Sequence, residues 1–173
     1  EPEEQKPQRV YTKYFTKEDE DLFSDPKSAI DLDKYLIRGT DASFEYTDVE
    51  EIKRIFRISP QKLSLDEFYH LAEQYEAGSD AFNEVFETAV RMYPADAQAN
   101  LNAANAAMQK GDLMRAAQYL QKAGASLEAV YARGVQAALS EDYPVALEYF
   151  RQAKNQGVWQ AEAAIEVIEK INK

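Results

Sequence analysis

The chain has no cysteine, one histidine, one tryptophan, six glycines and six prolines among its 173 residues. Without cysteine there is no disulfide framework, no thiolate zinc site and no thiol nucleophile. A single imidazole, His70, removes the common zinc constellations, which need a second His or Cys. Basic residues are the minority, 20 Lys and Arg against 31 Asp and Glu, for a net charge of −11. Nothing forms a basic stripe able to displace counterions from a phosphate backbone, so no nucleic acid is expected as partner. No apolar run approaches the roughly 20 residues of a membrane span, and no charged-then-apolar signal segment opens the chain. A mature form that has lost its signal would read the same way. Gly-rich phosphate loops and the G-x-S-x-G elbow are also missing.

What is present is enough for a core: 45% of the residues are hydrophobic and 12% aromatic. The opening "EPEEQKPQ" has the Glu, Gln and Pro bias of a solvated tail or interdomain linker. "RVYTKYF" (residues 9–15) is β-branched and aromatic and predicts one short strand. Its partner is expected near Tyr35–Gly39, near Ala42–Thr47, or outside this sequence. "TKEDEDLFSDPKS" between them is charged and suits a surface loop. Residues 1–46 thus read as an extended or β segment, the tail of a preceding domain.

At Thr47 the pattern changes to helical. Thr47-Asp-Val-Glu50 fits a capping box, and Val49, Ile52, Ile55 and Phe56 follow at helical spacing up to Ser59-Pro60. This predicts a leading helix within 47–62. Ser64-Leu-Asp-Glu67 is a second capping box. Beyond it the periodicity predicts helices near 64–76, 80–93, 96–109, 113–123, 127–139, 143–155 and 159–171, joined by short turns.

The helices repeat. "GDLMRAAQYLQKA" (111–123) aligns with "EDYPVALEYFRQA" (141–153) at an offset of 30, pairing Asp112 with Asp142, Ala116 with Ala146, Leu120 with Phe150 and Ala123 with Ala153. A further step back of 34 residues places Ala123 on Ala89, Leu120 on Phe86 and Ala104 on His70, with Pro94 five residues after Ala89. These matches resemble the tetratricopeptide repeat. The resemblance implies a mainly α fold, a right-handed stack of antiparallel helix pairs, with repeats near 63–96, 97–126 and 127–160 and a cap at 161–173. Gly134 stands where the pattern wants Gly, and Ala104 is its small substitute. There are departures: Asn100 replaces Trp, Arg133 replaces Leu, and Phe82 stands where a small residue is usual.

The run from Ala81 to Gly124, followed by "AVYARGV", is also similar to the C-terminal helical part of an uncharacterised bacteroidete cell-envelope family. In that family an OmpA-like segment precedes tetratricopeptide helices, often beside fimbrial subunits. The likeness spans roughly Ser64 to Gly157. It implies an address in the periplasm or at the outer membrane and an assembly or scaffolding role, and it transfers no catalytic residues.

In such stacks the first helix of each pair lines a concave face. Carried onto this chain, that face comprises Gln98, Leu101, Asn102, Asn105 and Met108, then Glu128, Tyr131, Ala132, Val135 and Ala138. Asn amides both donate and accept, so they can fasten an extended peptide without reading its sequence, while Met108 and Tyr131 supply adaptable apolar area. The Lys and Arg of the family's carboxylate clamp are missing from these positions, which disfavours a C-terminal carboxylate as ligand. The face is expected to be open, or else covered by residues 9–46, which hold Tyr11, Tyr14, Phe15, Phe23, Tyr35, Leu36, Phe44 and Tyr46.

Catalytic chemistry is thinly supplied. His70 reads as a structural histidine, Asp31-Leu-Asp33 lacks the Gly of a calcium loop, and Glu18–Asp21 reads as solvated charge. The expectation is a non-enzymatic protein without cofactor or metal, binding a protein or peptide, with other envelope or fimbrial components among its partners. The alternative is a structural extension that caps a neighbouring OmpA-like or β domain.

Overall fold

The computed structural model describes residues 8–10, 38–41, 48–76 and 78–171. Two short strands, β1 (Gln8–Val10) and β2 (Arg38–Asp41), pair antiparallel with Gln8 opposite Asp41 and Val10 opposite Arg38. β1 overlaps the start of the expected strand, and β2 the end of its first candidate partner. Residues 11–15 and 42–47 lie outside the described residues.

From Asp48 onward the described chain is helical: α1 (Val49–Ile58), α2 (Leu65–Ala72), α3 (Asp80–Met92), α4 (Ala97–Gln109), α5 (Leu113–Leu120), α6 (Leu127–Leu139), α7 (Tyr143–Asn155) and α8 (Gln160–Ile171). Each helix packs on its successor, and α4 also touches α6. The fold is mainly α.

Local chemistry sets the helix starts. Ser64 Oγ accepts from the Glu67 amide at 3.1 Å and the Glu67 carboxylate accepts from the Ser64 amide at 2.9 Å, a closed capping box. At α1 the cap falls one residue later than the expected box. Asp48 is the cap, accepting from the Glu50 amide at 3.2 Å, and Glu50 and Glu51 place negative charge in the first turn, where the helix dipole favours it. The leading helix ends at Ile58, and Pro60–Lys62 forms a single 3-10 turn instead of continuing it.

The turns carry the repeat. Asp112 N donates to Ala107 O at 2.9 Å and Gly111 N to Met108 O at 3.0 Å. Thirty residues on, Asp142 N donates to Ala137 O at 2.8 Å and Glu141 N to Ala138 O at 3.0 Å. Both turns need a left-handed residue to reverse the chain: Gly111 at φ 80° in one, Glu141 at φ 62° in the other. Holding a residue with a side chain there costs about 1 kcal/mol.

Two helices end earlier than the periodicity suggests. α2 stops at Ala72 and α5 at Leu120. After α5, Lys122 N donates to Tyr119 O and Ala123 N to Leu120 O, three-residue bonds that tighten the last turn before Gly124 reverses the chain at φ 77°. Arg133 explains why the early stop is stable. Its guanidinium donates to Leu120 O at 2.7 Å, the last carbonyl of α5, and to Gly124 O at 2.6 Å in the turn that follows.

The small residues are all buried. Ala104, Ala116, Ala146, Ala153 and Ala161 are each 0% exposed, and Gly134 is buried as well. α6 and α7 approach so closely at Gly134 that a Cβ there would stand 2.6 Å from Phe150 Cε1. The preceding pair at the 30-residue offset is Ala104 with Leu120. As the small partner shrinks from Ala to Gly, the large one grows from Leu to Phe, so the two hairpins fill a similar volume by opposite allotment. In the first pair Phe82 is buried, edge-on to Phe86 at 4.9 Å, and Tyr69 stands 5.9 Å from Phe86.

This compensation yields a sign reversal. Within a helix, Gly→Ala ordinarily stabilises by about 0.5–1 kcal/mol. Gly134→Ala should instead destabilise by about 1–3 kcal/mol through overpacking against Phe150. Adding Phe150→Leu recreates the Ala104–Leu120 pairing and should recover at least about 1 kcal/mol of that loss. Urea unfolding of the two single variants and the double variant measures the coupling; strict additivity would show that the close approach is not what holds α6 on α7.

Candidate functional site

The candidate wall is built from α4 and α6. α4 is fixed at its start by Asp96, whose carboxylate accepts from the Ala99 amide at 2.9 Å. Asn100, where the repeat pattern has Trp, turns back and donates to Pro94 O at 3.0 Å and Asp96 O at 2.8 Å. It holds the entry turn and faces no ligand. Asp96 takes part twice, its carboxylate accepting from the Ala99 amide and its carbonyl from Asn100, so one short stretch satisfies an orphan amide of α4 and carbonyls leading into it.

Every residue from Ala99 to Met108 is buried. Four of the expected wall residues fall in this run: Leu101 at 2%, Asn102 and Asn105 at 0% and Met108 at 1% exposure. On α6, Val135 is buried, while Glu128 and Tyr131 are half-buried, as is Gln98 at the start of α4. An open inner face is therefore not what these side chains present: Leu101, Asn102, Asn105, Met108 and Val135 are covered. The physical reason is that α4 is packed all round, whereas a helix lining an open groove keeps one face wet.

Leu101, Met108 and Val135 join one apolar cluster, with Tyr131 packed against it. Tyr131 lies 5.3 Å from the Phe150 ring and also touches Val167 of α8, a residue 1% exposed. The polar wall residues are engaged rather than waiting. Gln98 Nε2 donates to Asn102 Oδ1 at 3.0 Å, and Asn102, Asn105, Glu128 and Tyr131 hold further interactions. Burial pushes the Tyr131 phenol above its ordinary value.

Tyr69 and Val167 complete this region, and the repeat pattern assigns neither to it. α8 reads from sequence as a cap, and Tyr69 lies on the least regular repeat, so period offsets do not reach them. The Tyr69 hydroxyl is buried beside the Asn102 side chain without closing a hydrogen bond of full geometry. Burial is the main cause that raises its phenol well above the usual tyrosine value. Asp96 adds to the rise, and Asn102 opposes it.

Elsewhere, a hollow of about 200 Å³ between α1 and α3 has Phe56, Tyr75 and Val85 in its lining and Lys53, Arg57 and Glu84 as its charges. Mixed charge over so small an apolar floor selects no ligand class. His70 is half-buried. No cluster of three or more His, Asp or Glu stands where a metal could be held among the described residues. Asp31, Asp33 and Glu18–Asp21 lie outside them. No described helix is long and apolar enough to cross a membrane. Comparison with known protein families and with characterised proteins finds no match.

The unpartnered Tyr69 hydroxyl gives a prediction with a definite sign. A buried hydroxyl without a partner costs about 1 kcal/mol or more, so Tyr69→Phe should stabilise the protein by roughly that amount at pH 8. Because the folded-state value is raised, the stability that the neutral phenol contributes is complete below the unfolded value near 10 and lost as pH climbs past it. The advantage of the Phe variant should therefore widen above about pH 10, by up to roughly 1.4 kcal/mol per pH unit. Urea midpoints of both proteins at pH 8, 10 and 11 test this; a Phe variant less stable at pH 8 contradicts it.

Proposed function

We propose that the chain is a non-enzymatic, tetratricopeptide-like helical scaffold of the bacterial cell envelope, which holds a protein partner and contributes to fimbria or outer-membrane assembly. The observation carrying the scaffold reading is the repetition of one hairpin: the same turn bonds at 107–112 and 137–142, with buried small residues at matched places on either side. Stacked repeats of one supersecondary unit create extended surfaces that suit partner binding. The envelope address rests on the sequence resemblance. The net charge of −11 favours a protein over a nucleic acid as partner.

A second reading is favoured by the burial of Leu101, Asn102, Asn105 and Met108. Here the helices are a structural extension that caps a neighbouring OmpA-like or β domain, and the wall contributes stability alone.

The half-buried rim separates the two readings. Gln98→Lys with Glu128→Ala changes the polar character of the wall's edge while keeping a nitrogen donor for the buried Asn102 Oδ1 and leaving the apolar cluster intact. In quantitative pull-downs from an envelope extract, the scaffold reading expects selective loss of the same captured protein from the double variant, with the thermal midpoint shifted by no more than about 4 °C. Capture of every protein at wild-type level, with stability unchanged, would leave only the structural extension.

A further inference from the structure

α1 and α8 carry charged stripes of opposite sign on their exposed sides. On α1, Glu50, Arg54 and Arg57 are exposed at spacings of four and three and so share one face, while Ile52 is buried on the other. Ile58, at the end of that helix, stands 67% exposed beside them. From Lys53 to Lys62 there are four basic residues and no acidic one, although the chain as a whole carries −11. On α8, Glu162, Glu166 and Glu169 are exposed opposite the buried Ala161, Ala164, Ile165 and Ile168. Trp159, 50% exposed, stands just ahead of that stripe. Single exposed apolar residues are ordinary on a surface. Here each lies at the end of a charged stripe whose complement is carried by the same chain.

We propose that the partner of these faces is a second copy of the chain: α1 of one copy packs antiparallel on α8 of the next, and copies add head to tail. Three observations carry it. The first is register. Laid antiparallel, Ile58 comes level with Trp159, Arg57 with Glu162, Arg54 with Glu166 and Glu50 with Lys170, all within one helical turn of a single alignment. A parallel arrangement sets Glu50 against Glu162 and leaves Ile58 beside Lys170. The second is direction. Arg151 pairs with Glu169 and Lys154 with Glu162, so α7 and α8 run antiparallel and already meet through pairs of this kind. α1 of a second copy continues that order. The third is availability. Both pairs are 3.8 Å long, with the Glu162 and Glu169 side chains 62% and 55% exposed. On α1, Glu50 is taken by Lys53 and Glu51 by Arg54, and Arg57 has no ion pair among the described residues. Exposed ion pairs contribute little each, so the association is weak and depends on concentration. A head-to-tail contact is heterologous, so a growing row always keeps one free α1 and one free α8 unless it closes into a ring. The contact uses neither the wall nor its rim and goes beyond the scaffold reading.

Charge exchange tests this. Arg54→Glu with Arg57→Glu makes α1 acidic in one variant, and Glu162→Lys with Glu166→Lys makes α8 basic in another. All four side chains are exposed, so both variants should melt within about 4 °C of the wild type. In sedimentation equilibrium the weight-average mass of the wild type should rise above that of one chain as concentration increases. Each variant alone brings like charges together and should associate at least about tenfold more weakly. An equimolar mixture of the two sets every stripe against its opposite and should regain the wild-type association. A wild type that stays monomeric, a variant that associates as the wild type does, or a mixture that regains nothing overturns the proposal. Because the chain has no cysteine, a second measurement can leave the charges alone. Treated with a short bismaleimide, a mixture of Ile58→Cys and Trp159→Cys chains should yield the mixed adduct well beyond its chance proportion, and chance proportions overturn the proposal as well. These measurements report association of the chain with itself, whereas the pull-down reports capture from extract, so each reading can fail alone.

Discussion

Close approach of helix backbones through alanine and glycine is the constraint on which the rest of this structure depends. α4 can be surrounded because its sides are nearly smooth: Ala99, Ala103, Ala104, Ala106 and Ala107 are all buried along one 13-residue helix. Larger residues there would hold α3, α5 and α6 apart and open voids that cost stability in proportion to their volume. The opposite allotment at Gly134 and Phe150 shows the same rule one hairpin later, with the bulk supplied from the partner helix. Apolar area is thus buried by many small contacts at short range, which leaves little tolerance for added volume.

Packing α4 on all sides raises the stakes for its asparagines. Asn100, Asn102 and Asn105 are all at or below 1% exposure, and an unmet amide in such a place costs about 1–3 kcal/mol. Asn100 meets the cost by bonding the entry turn, and Asn102 by accepting from Gln98. The acidic excess is kept outside. Glu162, Glu166 and Glu169 of α8 are exposed while Ala161, Ala164, Val167 and Ile168 face inward. Exposed pairs such as Lys154 with Glu162 and Arg151 with Glu169, each at 3.8 Å, bridge α7 to α8 and add little energy of their own.

Much of the helical architecture was legible because it is written locally. The Ser64–Glu67 box, the Gly-Asp and Glu-Asp turns and the 30-residue match of Ala116 with Ala146 are short-range signals, and each appears in the structure as a cap, a turn or a buried contact. What could not be read depends on distant partners. The cap falls on Asp48 where the sequence pointed to Thr47, because adjacent Thr and Asp are both good capping residues and the sequence alone does not choose between them. The end of α5 at Leu120 is held by Arg133, thirteen residues on, which bonds its last carbonyl. The status of the wall was illegible for the same reason. Position in a repeat says which way Asn102 and Asn105 point, and says nothing about what meets them.

A helical fold whose central wall is already covered differs from one with an open groove in how it opens. Its centre should be the most protected part of the molecule, with α4 and α6 exchanging only through global unfolding and α1, attached at one edge, opening first. Residue-resolved amide hydrogen exchange measures this directly. The account predicts that Ala103–Met108 and Val130–Val135 exchange at the limit set by the global unfolding free energy, and that the amides of α1 exchange well before them. Exchange within Ala103–Met108 as fast as in α1 would contradict it, for then α4 would not be held on every side by the close contacts of its alanines.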